Sequence, residues 1–131
     1  MADKLTEEII AAAIEVHKTL GSGLLESIYE EALCIEMELM GLAFQRQLAV
    51  EVMYKGRAIH GQRLDLLVAS EVVVEIKSMR TLPEVATAQV LSYLKATGLK
   101  RGVITEFWRK TVGQWSEANF TLIGEFKEKQ N

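Results

Sequence analysis

Asp65, Glu75 and Lys77 have the side-chain types and the spacing to bring two carboxylates and an ammonium group around a hard cation. Side chains on a strand alternate, so Glu75 and Lys77 share one face while Val74 and Ile76 take the other. If Val68 pairs with Val72 across the three-residue loop Ala69-Ser70-Glu71, Asp65 stands opposite Glu75. Cross-strand partners point the same way, about 5 Å apart. A two-residue loop would move the register by one and send Asp65 to the other face. Leu64, Leu66, Val68, Val72, Val74 and Ile76 leave little polar surface around the carboxylates. Two ionised carboxylates in such a place repel each other and lose hydration unless a cation or a proton compensates. Mg²⁺ or Mn²⁺ suits such an oxygen-only set. The spacing by itself also suits a surface ion pair of Glu75 and Lys77 with Asp65 facing solvent.

Two more segments bear on the choice. Gly23-Leu24-Leu25-Glu26 opens a helix, where the turn could aim Glu26 at the sheet; a plain helix-dipole acid is the alternative. Gln89 and Tyr93, four residues apart, fall on one face of a later helix. Tyr93 also suits a core aromatic with a wet hydroxyl. His17 could reach the same cleft as a ligand or base, with a helix–helix contact as the other reading. Tyr29, one turn beyond Glu26, suits either a hydrogen bond to it or packing.

The elements that must position these groups are legible in the pattern. Apolar residues at Leu5, Ile9, Ala13, Val16 and Leu20 predict a helix over 5–20, with Thr6 as a cap, broken by Gly21-Ser22-Gly23. A second helix is expected over 24–40, ended by Gly41. Short β-rich runs follow at 44–50, 52–54, 58–68 and 72–77, with a turn at Gly56. Thr81 and Glu84 read as a capping box and Pro83 as a first-turn residue for a helix ending at Gly98. Residues 102–107 form a further strand and 120–123 suit one more, while 125–131 is expected to fray. Hairpins followed by a helical crossover imply an α/β fold with a mixed sheet.

Length and composition fit one domain over 1–131, with 49% apolar and 25% charged residues. The single cysteine, Cys34, excludes an internal disulfide or a Cys-based metal site and makes the cytoplasm the expected compartment. No apolar run is long enough to span a bilayer. The net charge of −3 is unevenly spread. Residues 1–42 hold nine acidic and two basic side chains, and residues 43–115 hold six acidic and eleven basic. A basic middle of this kind suits a polyanion or a merely solvated face.

Gly23-x-x-Glu26, Asp65, Glu75-x-Lys77 and Gln89-x-x-x-Tyr93, in this order, resemble the motif series of the PD-(D/E)xK nuclease superfamily, especially its RecB-like branch. The position before Asp65 is Leu64 rather than Pro, and the chain departs from the pattern from about Glu106 onward. Gly23-Leu24-Leu25-Glu26-Ser27-Ile28-Tyr29 and the run from Leu91 to Leu99 look like the small GxxExxY group within it.

The resemblance implies a restriction-endonuclease-like core, a mixed central sheet flanked by helices. It further implies a metal-dependent nuclease cutting phosphodiester bonds, in DNA before RNA, to leave a 5′-phosphate and a 3′-hydroxyl. Asp65, Glu75 and Glu26 would hold Mg²⁺ or Mn²⁺, Lys77 would orient water or stabilise phosphate charge, and Gln89 would position Lys77, the water or the scissile phosphate. Tyr93 could hydrogen-bond a phosphate oxygen. Arg57, Arg63, Arg80, Lys95 and Arg109 are candidate phosphate contacts, and Trp108 and Trp115 candidate stacking or packing residues. The alternative is a binding module that keeps the fold for nucleic acid or protein and cuts nothing. A homodimer would give so small a domain a larger groove.

Overall fold

The computed structural model describes residues 3–109 and 119–124. Its elements are α1 (Lys4–Leu20), α2 (Glu26–Leu39), β1 (Phe44–Tyr54), β2 (Arg57–Val68), β3 (Val72–Lys77), α3 (Pro83–Thr97), β4 (Arg101–Glu106) and β5 (Phe120–Gly124). The order is the one that the hydrophobic pattern predicts. The two short runs at 44–50 and 52–54 join into one strand, with a shift of register between Val50 and Val52.

The five strands lie in chain order, antiparallel except for the β3–β4 pair. That parallel pair needs a crossover, and α3 supplies it. β3 is the central strand, and its first five residues are buried. A carboxylate on this strand is therefore far from bulk water by construction.

Each face of the sheet has its own core. Against α1 and α2 lie Leu66, Val68, Val72, Val74, Ile76 and Phe107. Against α3 lie Leu64, Leu67, Val73 and Ile104. Gly102 is needed where α3 crosses β4, because a Cβ there would stand 2.4 Å from Val90 Cγ1. The fold is a mixed-sheet α/β arrangement with helices on both faces, the architecture that the motif resemblance implies. Among the described residues, no helix is long and apolar enough to cross a membrane.

Two caps differ from expectation. Asp3 caps α1 by accepting from Thr6 N at 2.9 Å, and Thr6 lies buried inside the helix. Asp3 reaches the N–H of the third residue on, as an N-cap side chain does, and its carboxylate also pairs with Arg101. At α3 the capping box does not form. Leu82 is the N-cap, without a side-chain bond, and Thr81 Oγ1 instead donates to Met79 O at 3.3 Å. Pro83 one residue later fixes the start, since its missing N–H is an orphan in any helix.

Candidate active site

The β2–β3 hairpin sets the site. Val68 pairs with Val72, Leu67 with Val73 and Leu66 with Val74. The loop holds the odd count of residues that brings Asp65 opposite Glu75. Its turn is closed by Glu71 N donating to Val68 O at 3.0 Å, with Ala69 and Ser70 both at positive φ, +53° and +57°. Positive φ at both central residues is the type I′ signature, and Glu71 is the extra residue that fixes the parity.

Beyond Leu66 the ladder stops. Asp65 Oδ2 accepts from Ile76 N at 2.8 Å, so a side chain takes the N–H that a continued ladder would have used. Gln47, across from Asp65 in β1, has φ +48° and no rung between the Arg46–Leu66 and Leu48–Leu64 pairs. At this level the two strands exchange faces. Phe44, Leu66 and Val68 pack toward α1 and α2, whereas Leu48, Val50 and Leu64 pack toward α3. Strict alternation would keep each strand's set on one face.

Glu75 is 4% exposed. Its carboxyl is pushed up to about 7, by burial first and then by the charge of Asp65, with Lys77 opposing both. Its Oε2 accepts from Lys77 Nζ at 3.2 Å, and Oε1 has no hydrogen-bond partner although buried. Lys77 Nζ also donates to Gln89 Oε1 at 2.8 Å, which ties β3 to α3. Tyr93, one turn along α3, is buried; its hydroxyl is pushed up to about 12 by burial and then by the charges of Glu75 and Asp65. Asp65, Glu75, Lys77, Gln89 and Tyr93 are thus brought together.

Glu26 is only partly so. It is the first residue of α2 and is exposed, yet its carboxyl is raised by burial and then by Asp65, with Lys77 opposing and Glu30 adding. Among the described residues, no three His, Cys, Asp or Glu side chains are grouped closely enough to hold one ion. Glu26 stands apart from Asp65 and Glu75 in this arrangement, near enough for the charge of Asp65 to act on it. Without a cation, a third carboxylate drawn against the first two would meet like charge that one lysine does not offset.

Asp65 and Glu75 fit a hard cation on their own. They offer carboxylate oxygens, one of them buried and without a partner. Mg²⁺ is commonly held by one or two carboxylates, with water and phosphate completing its shell.

Other candidates lie elsewhere. Tyr29 does not bond Glu26: its hydroxyl donates to Gly21 O at 2.7 Å and accepts from Leu24 N at 3.1 Å, and its ring stacks on Phe107 at 4.5 Å. His17 is buried beside Phe107, with Nε2 3.1 Å from Arg109 O, in the α1 layer rather than among the carboxylates. Arg63 Nη1 donates to Gln47 O at 3.2 Å, beside the bend. Arg57 is exposed at the hairpin turn, Arg80 in the loop before α3, and Lys95 in the last turn of α3. Arg109 pairs with Glu106 at 3.3 Å and lies over the Trp108 ring at 4.6 Å. Trp115 and residues 125–131 are outside the described residues.

Two residues at the site were not foreseen. Gln47 Nε2 donates to Glu30 Oε1 at 2.6 Å and lies 3.4 Å from Asp65 Oδ1. Glu30, 8% exposed, also accepts from Arg46 at 3.0 Å. Glu30 was findable as the residue one turn after Glu26 on the same helix face. Nothing in the sequence marks Gln47, since its placement depends on a positive φ inside a strand.

A family model described as the PD-(D/E)XK nuclease superfamily matches residues 3–117. No curated protein matches the chain significantly. Among solved structures, one titled "Crystal structure of SSO0001" is similar with a TM-score of 0.51 at 18% identity, over 78% of this chain. This chain spans about half of that protein, 50% of its length, and the likeness is one of fold.

Proposed function

Since the chain belongs to the PD-(D/E)XK nuclease superfamily, we propose that it is a metal-dependent nuclease hydrolysing phosphodiester bonds, with DNA as the first substrate to test. One observation carries the reading: a buried carboxylate oxygen of Glu75 without a partner, on the side chain that faces Asp65 and pairs with Lys77. A carboxylate oxygen buried without a hydrogen-bond partner weakens a fold. A cation makes the arrangement favourable.

Asp65 and Glu75 are the residues to hold Mg²⁺ or Mn²⁺, with Glu26 at the rim acting through its charge. When bound, such an ion acidifies water and offsets phosphate charge. Lys77 supplies a fixed ammonium beside Glu75, placed to orient the attacking water or stabilise the phosphate oxygens. Gln89 holds Lys77 in place through the 2.8 Å bond. Tyr93, kept protonated by its surroundings, remains a hydrogen-bond donor toward a phosphate oxygen.

The Gly23-x-x-Glu26-x-x-Tyr29 segment supports the narrower GxxExxY grouping. Gly23 has φ +103°, a conformation that side chains disfavour, and Tyr29 ties both ends of the turn that displays Glu26. The motif thereby describes one local device.

The test is cleavage of single- and double-stranded DNA and RNA with Mg²⁺ or Mn²⁺, beside Glu75→Gln and Lys77→Met. Circular dichroism checks that both variants fold. Metal-dependent cutting that both variants lose supports the reading. Nucleic-acid binding without cutting by the wild type assigns the fold to a binding module instead.

A further inference from the structure

α2 has two apolar faces, and among the described residues only one of them is filled by the core. Tyr29, Leu33 and Met37 enter the core. A second series, Leu25 at the N-cap, then Ile28, Ala32, Ile35 and Leu39, alternates steps of three and four residues, the a/d repeat of a helix that packs along another helix, with Ala32 itself half-buried against the core. Leu25, Ile28, Ile35 and Leu39 are 74%, 45%, 53% and 76% exposed. Isolated exposed apolar side chains are ordinary, but an aligned stripe of them marks an interaction surface.

We propose that this stripe docks an amphipathic helix of a partner protein, one whose own apolar seam is flanked by Lys and Arg. Charge decides the occupant. The positions bordering the stripe include Glu31, Glu36 and Glu38, and no Lys, Arg or His occurs from Thr19 to Gln45. Arg46 offsets Glu30 and Glu31 at one end, while Glu36 and Glu38 continue the acidic border. A second copy of α2 would set Glu36 and Glu38 against acidic flanks with no base on the helix to offset them, which specifies against self-pairing.

Area points the same way. At 1.5 Å per residue the 14-residue helix is about 21 Å long, and at ~10 Å wide its face is roughly 200 Å². A free-standing interface needs about 800 Å² per partner. The stripe suits a single laid-on helix better than a dimer of domains. The inference is independent of the proposed nuclease activity, although Glu26 stands at the N-terminal end of the same helix.

The probe is a designed helical peptide of three heptads with Leu at the seam and Lys at the flanks, compared with versions carrying Glu flanks or a Ser seam. Fluorescence anisotropy on the full chain is expected to show the Lys-flanked Leu peptide binding at least tenfold more tightly than either control, and more weakly as salt rises. Ile35→Asp and Leu39→Asp, both at exposed positions, should each weaken it at least tenfold with an unchanged melting temperature. Equal binding of all peptides, or of none, overturns the proposal. Undiminished binding of the Ser-seam peptide does so too, by reducing the effect to charge. A dimer in sedimentation equilibrium that Leu39→Asp splits would make the occupant a second copy and refute it.

Discussion

The carboxylate of Asp65 accepts the backbone N–H of Ile76 at 2.8 Å, at the point where β2 parts from β3. A catalytic-type side chain thus serves as the last rung of a ladder. Its other oxygen, Oδ1, lies 3.4 Å from Gln47 Nε2. Fixing one oxygen to the central strand holds the other in place without a flexible side chain having to be ordered during the reaction, the kind of support that catalytic groups need.

Glu75 gives a pH dependence of unusual sign. Its folded carboxyl is pushed up to about 7, above its ordinary value of 4.5, because burial and then Asp65 disfavour its charge. The folded state therefore keeps a proton that the unfolded chain has released. Stability contributed this way is full below about pH 4.5 and declines as pH rises toward 7. Protein stripped with a chelator is expected to lose stability over that window, by at most roughly 3–4 kcal/mol at about 1.4 kcal/mol per unit, read as a falling melting temperature. Glu75→Gln should flatten the decline, and Mn²⁺ should raise the wild-type melting temperature more at pH 8 than at pH 5. A wild-type melting temperature that rises over the same window would contradict this.

Lys77 depends on Gln89. Removing the amide in Gln89→Ala leaves the ammonium with Glu75 alone, free to collapse onto the carboxylate. Cleavage is expected to drop about 10- to 100-fold, a loss of roughly 1.4–2.7 kcal/mol of transition-state stabilisation, in kcat more than in KM. Gln89→Glu should be worse than Gln89→Ala, since a further carboxylate pairs with Lys77 and competes with Glu75. Steady-state kinetics on a labelled oligonucleotide measures both.

Tyr29→Phe keeps the ring stacked on Phe107 but deprives Gly21 O of its donor and Leu24 N of its acceptor. Two lost hydrogen bonds predict a destabilisation of about 2 kcal/mol by urea unfolding. Because the turn they close carries the chain into Glu26, any cleavage activity is expected to fall as well, while His17→Ala should cost stability and leave activity nearly unchanged.

The β2–β3 turn stores avoidable strain. Ala69 and Ser70 both occupy the left-handed region, where side chains other than Asn and Gly are disfavoured by roughly 1–2 kcal/mol. The double replacement Ala69→Asn with Ser70→Gly is expected to stabilise the protein by about 1 kcal/mol without moving Asp65 or Glu75. Thermal denaturation reads the gain, and an unchanged cleavage rate confirms that the register is kept.

The sequence determined the local terms. Periodicity marked three helices and the strand runs, and the alternation Val74-Glu75-Ile76-Lys77 put the acid and the amine on one face, because a strand has a period of two whatever surrounds it. An odd loop between Val68 and Val72 was the condition for Asp65 to meet Glu75, and the hairpin register meets it. Spacing by four likewise paired Gln89 with Tyr93. None of these needs a distant partner.

Tertiary structure decided what depends on groups far apart in the chain. Burial of Glu75 follows from β3 being central, which only the pairing with β4 on one side and β2 on the other establishes. The positive φ of Gln47, the exchange of faces at that level and the bond to Glu30 arise where a sheet splits between two helical layers. Tyr29 went to Gly21 and Leu24 rather than to Glu26, and His17 to Arg109 O, because the nearest backbone groups left without a ladder or helix partner took those donors and acceptors. Helical phase can place a side chain on a face, but which polar group meets it there is set by packing across the whole chain.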